Sequence, residues 1–281
     1  MLLNRRWTFT ALALATLFSA QAASAKDWTT VRIATEAAYE PWNMTLPGGK
    51  IDGFEPELLT DLCGRLKLEC KLEAQDWDGM IAALNAGKYD MLMDAIVITP
   101  DRQQVVAFSQ PYAATPGVFV SADPKLVASL PSADSVKLSG DAKADKPVID
   151  SLRAMVKGKT IGIQSGTAYT DFVYSNFKDI ATIREYKKSG EHMMDLSAGR
   201  IDFAFDDVTF FSSVLGKPEN QGVQMVGPKL GGPIWGPGEG LAFRKSDGDL
   251  KARFDQALTA ALADGTVKRL SQKWFKADIT P

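Results

Sequence analysis

The sequence is poor in the residues that most enzymes use for acid–base, nucleophilic and metal chemistry. Its 281 residues include one histidine, His192, and two cysteines, Cys63 and Cys70. Two thiols and one imidazole cannot complete a tetrahedral zinc shell without carboxylates, so a zinc site built on them is not expected. The sequence also lacks the signatures of a serine-hydrolase elbow, a zinc-protease helix and a phosphate-binding loop. We therefore expect no catalytic residues, no bound metal and no cofactor.

Long apolar runs are also missing, except at the N-terminus, which has the layout of a secretory signal peptide. Arg5 and Arg6 precede an apolar segment at residues 7–20, and residues 23–25 (Ala-Ser-Ala) offer a cleavage site. The apolar segment is too short for a comfortable membrane span. We expect residues 1–25 to be removed during export to the periplasm. An uncleaved anchor and twin-arginine export are the alternatives.

Neither sign of charge dominates the chain. Two of the 32 basic residues lie in the predicted signal peptide, which leaves 30 basic against 34 acidic side chains, a net charge of −4. This balance argues against nucleic acid or an anionic membrane as the main partner. A mature chain of about 255 residues favours two lobes over one core.

The two cysteines predict a disulfide. Cys63 and Cys70 form an even pair in a chain that carries an export signal, and such pairs are usually oxidised outside the cytoplasm. We interpret the pair as a structural staple.

Short apolar strands alternate with amphipathic helices through most of the chain. Strands are predicted at residues 31–35 and 71–74, and helices begin at Glu55 and at Asp78. Residues 249–275 form a further helical segment with one apolar face. This alternation is typical of an α/β fold with mostly parallel sheets.

Two other segments have weaker patterns. Residues 123–157 are polar, and we expect a long surface excursion with one helix at residues 148–156, outside any domain core. His192 lies in a helical stretch at residues 191–196 and is interpreted as a surface or helix residue rather than a general base.

One pattern occurs twice, at residues 84–94 and 196–206. In each copy a helix ends at a glycine suited to the left-handed conformation, and a short apolar strand follows that ends in an aspartate. The two distant copies indicate two similar α/β lobes. Because ligands bind outside the carboxyl ends of strands in open α/β sheets, Asp94 and the Asp206–Asp207 pair are predicted to lie where two pockets face each other. Ordinary turn aspartates are the alternative.

A candidate anion site follows the first of these strands. Thr99 is suited to cap a helix, and Arg102 then lies in the first turn, where a guanidinium and free backbone N–H groups can hold a carboxylate. Tyr39, Trp42 and Trp77 follow neighbouring strands, and their rings can stack on an extended or cationic side chain. A solvated arginine is the alternative.

An ordered set of motifs resembles a known family. The set comprises Tyr39-Glu40-Pro41-Trp42, the Cys63/Cys70 pair, Asp76-Trp77, Ile98-Thr99-Pro100-Asp101-Arg102, Phe108-Ser109-Gln110-Pro111-Tyr112, residues 158–167 (GKTIGIQSGT) and Ala198-Gly199-Arg200-Ile201-Asp202. Over essentially the whole mature chain it is similar to periplasmic substrate-binding proteins of polar amino-acid importers. More narrowly, it resembles the branch that binds lysine, arginine, ornithine, histidine and the opines octopine and nopaline.

The resemblance implies a type II periplasmic-binding-protein fold, in which two α/β lobes, each a mostly parallel sheet flanked by helices, enclose the ligand in the cleft between them. Residues 26–115 and 239–281 would form lobe 1, and residues 116–238 would form lobe 2. The expected partners are a small ligand, a cationic amino acid or opine-like derivative, and a membrane ABC permease. We expect a monomer that closes about a hinge.

The resemblance also assigns roles to individual side chains. Arg102 would bind the ligand α-carboxylate, with help from Thr167 and the backbone at Ala168. Asp207 would bind the α-ammonium group, with the carbonyl of Ala95 alongside.

The remaining roles concern the ligand side chain. Tyr39 and Trp77 would sandwich it, Glu36 would face its distal cation, and Gln164 would lie near the same wall. Asp94 departs from the family pattern, because relatives that bind simple basic amino acids often carry serine there. The extra carboxylate could pair with a further cation or accept hydrogen bonds from a polyol.

Two other functions remain open. Some periplasmic dehydratases share this fold, and Glu36 or Asp94 could donate a proton if its pKa were raised. A ligand-dependent partner for a chemoreceptor is compatible with a transport role.

Overall fold

The computed structural model of the chain describes residue 26 and residues 28–281. The predicted signal peptide, residues 1–25, lies outside the described residues. Among the described helices, none is long and apolar enough to cross a membrane.

Lobe 1 is formed by two separate parts of the chain, an N-terminal one and a C-terminal one. Its N-terminal portion comprises β1 (Thr30–Thr35), β2 (Ala38–Tyr39), β3 (Asn43–Thr45), β4 (Ile51–Asp52), α1 (Phe54–Leu66), β5 (Glu69–Ala74), α2 (Met80–Asn85), β6 (Met91–Leu92), α3 (Pro100–Val105) and β7 (Ala107–Ala113).

Lobe 2 follows, and the chain then returns to lobe 1. Lobe 2 comprises β8 (Gly117–Ser121), α4 (Pro124–Ser129), β9 (Ser132–Lys137), α5 (Lys146–Val156), β10 (Thr160–Gln164), α6 (Ala168–Phe177), β11 (Thr182–Tyr186), α7 (Ser189–Ser197), β12 (Phe203–Asp207), α8 (Val208–Val214) and β13 (Gln224–Gly231). The return to lobe 1 adds β14 (Glu239–Phe243), α9 (Gly248–Ala263) and α10 (Thr266–Phe275). The residue-level boundaries of the lobes stay a prediction.

Each lobe has one large mixed sheet, so the α/β class and the two lobes are confirmed. Lobe 1 also has a small antiparallel sheet, β2-β3-β4. The order in the large sheets is β5-β1-β6-β14-β7 in lobe 1 and β11-β10-β12-β8-β13-β9 in lobe 2. In lobe 1, β1 pairs in parallel with β5 and β6, whereas β14 runs antiparallel to β6 and β7. In lobe 2, β10 pairs in parallel with β11 and β12, and β8 runs antiparallel to β12 and β13. The antiparallel strands are those next to the two connections between the lobes.

Capping residues explain where the three helices that begin at the cleft, α3, α6 and α8, start. Thr99 accepts a hydrogen bond from the backbone N–H of Arg102 at 3.3 Å, and Pro100 opens α3. Thr167 and Thr170 form a capping box at the start of α6. Asp207 caps α8 through the N–H of Thr209 at 2.6 Å.

The predicted disulfide is confirmed. Cys63, in the last turn of α1, is bonded to Cys70 in the edge strand β5, with a Cα–Cα distance of 6.3 Å. The bond ties α1 to the sheet of lobe 1.

The core of lobe 2 is aromatic. Phe119 lies 4.5 Å from Phe205 and 6.0 Å from Phe177 between ring centroids, and Phe172 stacks on Phe205 at 5.5 Å. Rings at this spacing add to the stabilisation from apolar burial. They give β8, β12 and α6 a rigid base beneath the cleft.

Three local predictions were wrong or incomplete. Residues 123–157 are not a surface excursion: β9 pairs with β13 at the sheet edge, and Leu152 and Val156 of α5 are buried in lobe 2. Edge strand β9 is exposed on both faces, so its sequence lacks an alternating apolar pattern. His192 is helical, in α7, but fully buried rather than at the surface. The C-terminal helical segment is split at Gly265, whose φ is +78°.

Candidate ligand-binding site

A cavity lies between the two lobes, at the carboxyl ends of β1, β6, β10 and β12. The space in the cavity and at its mouth that is free of protein atoms, including open solvent, is about 470 Å³. Its lining is Glu36, Tyr39, Trp77, Asp94, Ala95, Val97, Arg102, Gln164, Thr167, Ala168, Tyr169, Asp206, Asp207 and Glu239.

All ten residues to which the family resemblance gave a ligand contact or a place at the pocket wall line this one cavity, whereas Trp42, predicted as a further stacking ring, is fully buried outside its lining. Their contacts with a ligand stay a prediction. The repeated pattern explains part of the convergence, because its two copies bring the ends of β6 and β12 to opposite sides of the cleft. Gly87 and Gly199, which end the helix in each copy, have φ of +80° and +68°, as the left-handed conformation requires.

Four lining residues were not nominated: Val97, Tyr169, Asp206 and Glu239. Asp206 was recognised only as part of a strand-end pair. Glu239 lies between two glycines at the start of a strand that is otherwise apolar. An acidic residue at such a position is the feature of the sequence that could have identified it as a site residue.

Arg102 is the one guanidinium among the described residues that lines the cavity. It donates hydrogen bonds to the carbonyl oxygens of Val97, at 2.9 Å, and Gly166, at 3.1 Å, and lies 5.2 Å from the ring of Trp77. Among the described residues, no carboxylate lies within ion-pair distance of it. Burial lowers the pKa of Arg102 to about 10. The guanidinium therefore retains donors for an external anion.

Asp207 is buried across the cleft. Its Oδ1 accepts from the N–H and hydroxyl of Thr209, and its Oδ2 accepts from Thr115 and Tyr169. Burial raises the pKa of Asp207 to about 6, although the hydrogen bonds from Thr115 and Thr209 oppose the shift. The group is thus mainly ionised at neutral pH and can bind a cation.

Glu36 forms another part of the wall with Gln164. The Gln164 amide donates to both carboxylate oxygens of Glu36, at 3.1 and 3.2 Å, and to the Lys187 carbonyl at 3.0 Å. Burial raises the pKa of Glu36 to about 7, while Gln164 and Lys188 oppose the rise. A ligand cation at this place would favour the ionised form.

Asp94 has a structural role in this arrangement. Its Oδ1 accepts from the hydroxyl of Thr35 at 3.0 Å, the N–H of Glu36 at 2.7 Å and the amide of Asn43 at 3.0 Å. Burial, with Glu55 and Glu36 nearby, raises the pKa of Asp94 well above its ordinary value. These bonds hold Glu36 against the end of β6.

Tyr39 belongs to lobe 1 but contacts residues of lobe 2 across the cleft. Its ring stacks on Phe210 of lobe 2 at 5.1 Å, and its hydroxyl donates to Asp206 at 2.6 Å. One face of the predicted aromatic sandwich is therefore occupied by Phe210. Trp42 also contacts lobe 2, since its indole N–H donates to Thr209 at 2.8 Å.

The electrostatic balance of the cavity is acidic. Among the described residues, five carboxyl groups line it against the single guanidinium of Arg102. Burial raises the pKa of Asp94 and Glu239, so most of the negative charge comes from the other three, Glu36, Asp206 and Asp207. Such a lining favours a ligand that carries more positive than negative groups, together with one anionic group for the arginine.

Comparison with known proteins agrees with this geometry. Residues 31–277 match the family described as bacterial extracellular solute-binding proteins, family 3. The octopine-binding periplasmic protein of Rhizobium meliloti is 38% identical over 95% of this chain and 97% of its own. The L-arginine-binding protein of Pseudomonas aeruginosa is 32% identical over 89% of each chain.

Solved structures give the same result. A periplasmic His/Glu/Gln/Arg/opine family-binding protein from Silicibacter pomeroyi, in complex with lysine, aligns with a TM-score of 0.72 at 29% identity. The alignment covers 89% of this chain and 99% of that one. With the family match spanning nearly the whole described chain, the protein belongs to the bacterial extracellular solute-binding proteins of family 3.

Proposed function

We propose that the chain is the periplasmic solute-binding component of an ABC importer, and that it captures a cationic amino acid or derivative of the arginine, ornithine or opine type. The observation that carries this proposal is the charge pattern of the cavity. One guanidinium has no carboxylate partner in the described part of the chain, and five carboxyl groups share the same lining. A basic amino acid, with one carboxylate and two cations, is complementary to that pattern.

The α-substituents of the ligand would lie between Arg102 and Asp207. Arg102 binds the α-carboxylate, and Thr167 with the backbone at Ala168 adds donors at the N-terminus of α6. Asp207 binds the α-ammonium group, with the carbonyl of Ala95 alongside.

The ligand side chain would extend towards Glu36. That carboxylate, held by Gln164, faces the distal cation, while Trp77 and the free face of Tyr39 pack on the aliphatic part. The octopine- and arginine-binding relatives support this class of ligand.

Ligand binding would drive the closure of the lobes. The lining comes from both lobes, and the chain passes between them through residues 113–117 and 231–239. A ligand that contacts both lobes binds the closed state better, and only this difference in affinity can shift the equilibrium. We propose lobe boundaries at residues 115/116 and 238/239 on this basis.

We also propose that the protein is exported, works as a monomer and does not transform its ligand. An ancestral amino-acid-binding protein described as a precursor of cyclohexadienyl dehydratase shares the fold, with a TM-score of 0.69 at 24% identity. Ligand recovered unchanged after prolonged incubation is the expected result, and turnover of a panel member would contradict this part of the proposal.

The experiment is a titration of the mature protein after unfolding and refolding to remove carried ligand. Calorimetry and tryptophan fluorescence would be measured with arginine, lysine, ornithine, histidine, octopine and nopaline, and with glutamate as the anionic control. We expect tight binding of at least one cationic member and none of glutamate. Small-angle scattering should then show a smaller radius of gyration with that ligand. Binding of glutamate alone would refute the assignment of ligand class.

A further inference from the structure

Glu239 is a buried acid at the hinge side of the cavity. It is the first residue of β14, directly after one connection between the lobes, and it is only 2% exposed. A Cβ at its neighbour Gly238 would collide with the carbonyl of Ala113, so the backbone here is closely packed. The Oε1 atom of Glu239 lies 3.0 Å from the hydroxyl of Thr115, and Oε2 has no hydrogen-bond partner among the described residues.

Thr115 connects Glu239 to the proposed ammonium site. Its hydroxyl is within hydrogen-bond distance of both Glu239 Oε1 and Asp207 Oδ2. A threonine hydroxyl has one hydrogen and can donate to only one carboxylate. The second contact is a hydrogen bond only if the other carboxyl group carries a proton and donates to the hydroxyl.

The surroundings decide which group holds that proton. Asp207 accepts three further bonds, two from Thr209 and one from Tyr169, and it caps α8, where the helix N-terminus favours a negative charge. Glu239 makes no side-chain hydrogen bond in the described structure apart from Thr115.

No basic side chain in the described residues forms an ion pair with Glu239, and the acidic groups facing it are Asp207, Tyr169 and Tyr112. Two basic side chains share a cavity wall with it: Arg102 in the cavity between the lobes, and Lys137 in a second cavity beside the connections. Burial and the charge of Asp207 raise the pKa of Glu239 to about 8, although the hydroxyl of Thr115 and the backbone N–H groups of Glu239 and Thr115 oppose the rise. This pKa lies above that of Asp207, which is about 6.

We propose that Glu239 is a protonated carboxylic acid at neutral pH and positions Asp207 for the ligand ammonium group through the hydroxyl of Thr115. Glu239 donates to Thr115, Thr115 donates to Asp207, and Asp207 keeps its charge. The ligand-positioning role rests on the proposed function, whereas the protonation of Glu239 does not. The Glu239–Asp207 pair then carries one negative charge for one ligand ammonium.

Two variants separate the protonated state from the ionised one. Glu239→Gln keeps a neutral donor for Thr115, whereas Glu239→Leu removes it. At pH 7 we expect Glu239→Gln to weaken binding of the tightest panel ligand by less than about threefold and Glu239→Leu by about tenfold. If Glu239→Gln binds as weakly as Glu239→Leu, the side chain is ionised and the proposal is overturned. Wild-type affinity in both variants would overturn the positioning role.

A double-mutant cycle tests the route through Thr115. If Glu239 acts only through that hydroxyl, adding Glu239→Leu to Thr115→Val should cause no further loss of affinity beyond Thr115→Val alone. Additive losses would contradict the relay. Glu219→Gln, an exposed glutamate without side-chain partners in the described structure, is the matched control and should bind as the wild type does.

The proton on Glu239 can be detected without a ligand. This test therefore remains possible even if none of the ligands in the titration panel binds. The infrared C=O band of a protonated carboxylic acid should be weaker in Glu239→Gln than in wild type at pH 7, and unchanged in Glu219→Gln. Folded Glu239 also keeps a proton that the unfolded chain releases above its ordinary pKa, so wild-type stability falls as pH rises towards 8. The melting temperature of Glu239→Gln relative to wild type should therefore rise by about 3 °C per pH unit between pH 5 and 8. An unchanged band and a pH-independent difference would overturn the assignment.

Discussion

Removal of the Arg102 side chain should abolish high-affinity binding while leaving the fold intact. The guanidinium is held by carbonyl groups from both lobes and has no carboxylate partner within the described chain. A bound ligand carboxylate would supply that partner in a site largely shielded from water. Truncating one member of such a buried pair costs about 2–5 kcal/mol, which corresponds to a loss of affinity of about 30-fold to 5,000-fold. We expect at least about 100-fold for Arg102→Ala.

The assay is calorimetry with the tightest panel ligand and with its carboxamide analogue, which lacks the α-carboxylate. Wild type should discriminate strongly between the two, and Arg102→Ala should not, because the contact that distinguishes them is gone. Arg102→Lys should give an intermediate loss, since an ammonium group lacks the two-pronged geometry of a guanidinium. Arg269→Ala changes an exposed arginine and serves as the control. An affinity for Arg102→Ala within about threefold of wild type would show that Arg102 does not bind the ligand carboxylate, and so would retained discrimination against the carboxamide.

Three further predictions concern the Glu36 carboxylate, the disulfide of lobe 1 and an ion pair between the lobes. Affinity for a cationic ligand should fall by up to about fivefold as pH drops from 7 to 6 through Glu36, whose pKa is about 7 and which gains a proton. Titrations of Glu36→Gln should lose this part and keep only the smaller dependence, about twofold, that comes from Asp207, whose pKa is about 6. The double variant Cys63→Ser/Cys70→Ser should lose about 2–3 kcal/mol of unfolding free energy in denaturant titrations but keep its ligand affinity, since the bond lies away from the cavity. A large loss of affinity there would contradict the structure. The Glu40–Lys217 ion pair joins the two lobes across the cleft, and its side chains are about one-third exposed. Lys217→Met should therefore change ligand affinity by less than about threefold in calorimetry. A tenfold loss would show that this pair contributes substantially to the closed state.

The sequence was most informative where a local pattern has one structural meaning. The repeated helix–glycine–strand–aspartate pattern predicted two related lobes, and the structure places Asp94 and Asp207 in the lining of one cavity between them. Thr99 and Pro100 predicted the helix start that brings Arg102 to the same cavity. In each case a short segment carries its own turn and capping signals.

The remaining features depend on contacts between distant segments. Glu239 is distant in sequence from Thr115, and only the passage of the chain between the lobes brings them together. The sequence also could not show that Phe210 would cover one face of Tyr39, or that His192 would be buried in contact with Asp206. Strand β9 was missed for a different reason, because an exposed edge strand has no apolar alternation.

Under the proposed function, the cavity selects an amino acid by its distal positive charge as well as by its α-carboxylate. The most direct test is calorimetry at pH 8 with arginine and with citrulline, in which a neutral ureido group of similar shape replaces the guanidinium. If arginine is not bound by the wild type, the tightest panel ligand and its ureido counterpart take the place of this pair. We expect the wild type to bind the ureido compound at least about 30-fold more weakly, and Glu36→Gln to show a much smaller ratio. Equal affinities of the wild type for the charged and neutral compounds would contradict this selection by charge.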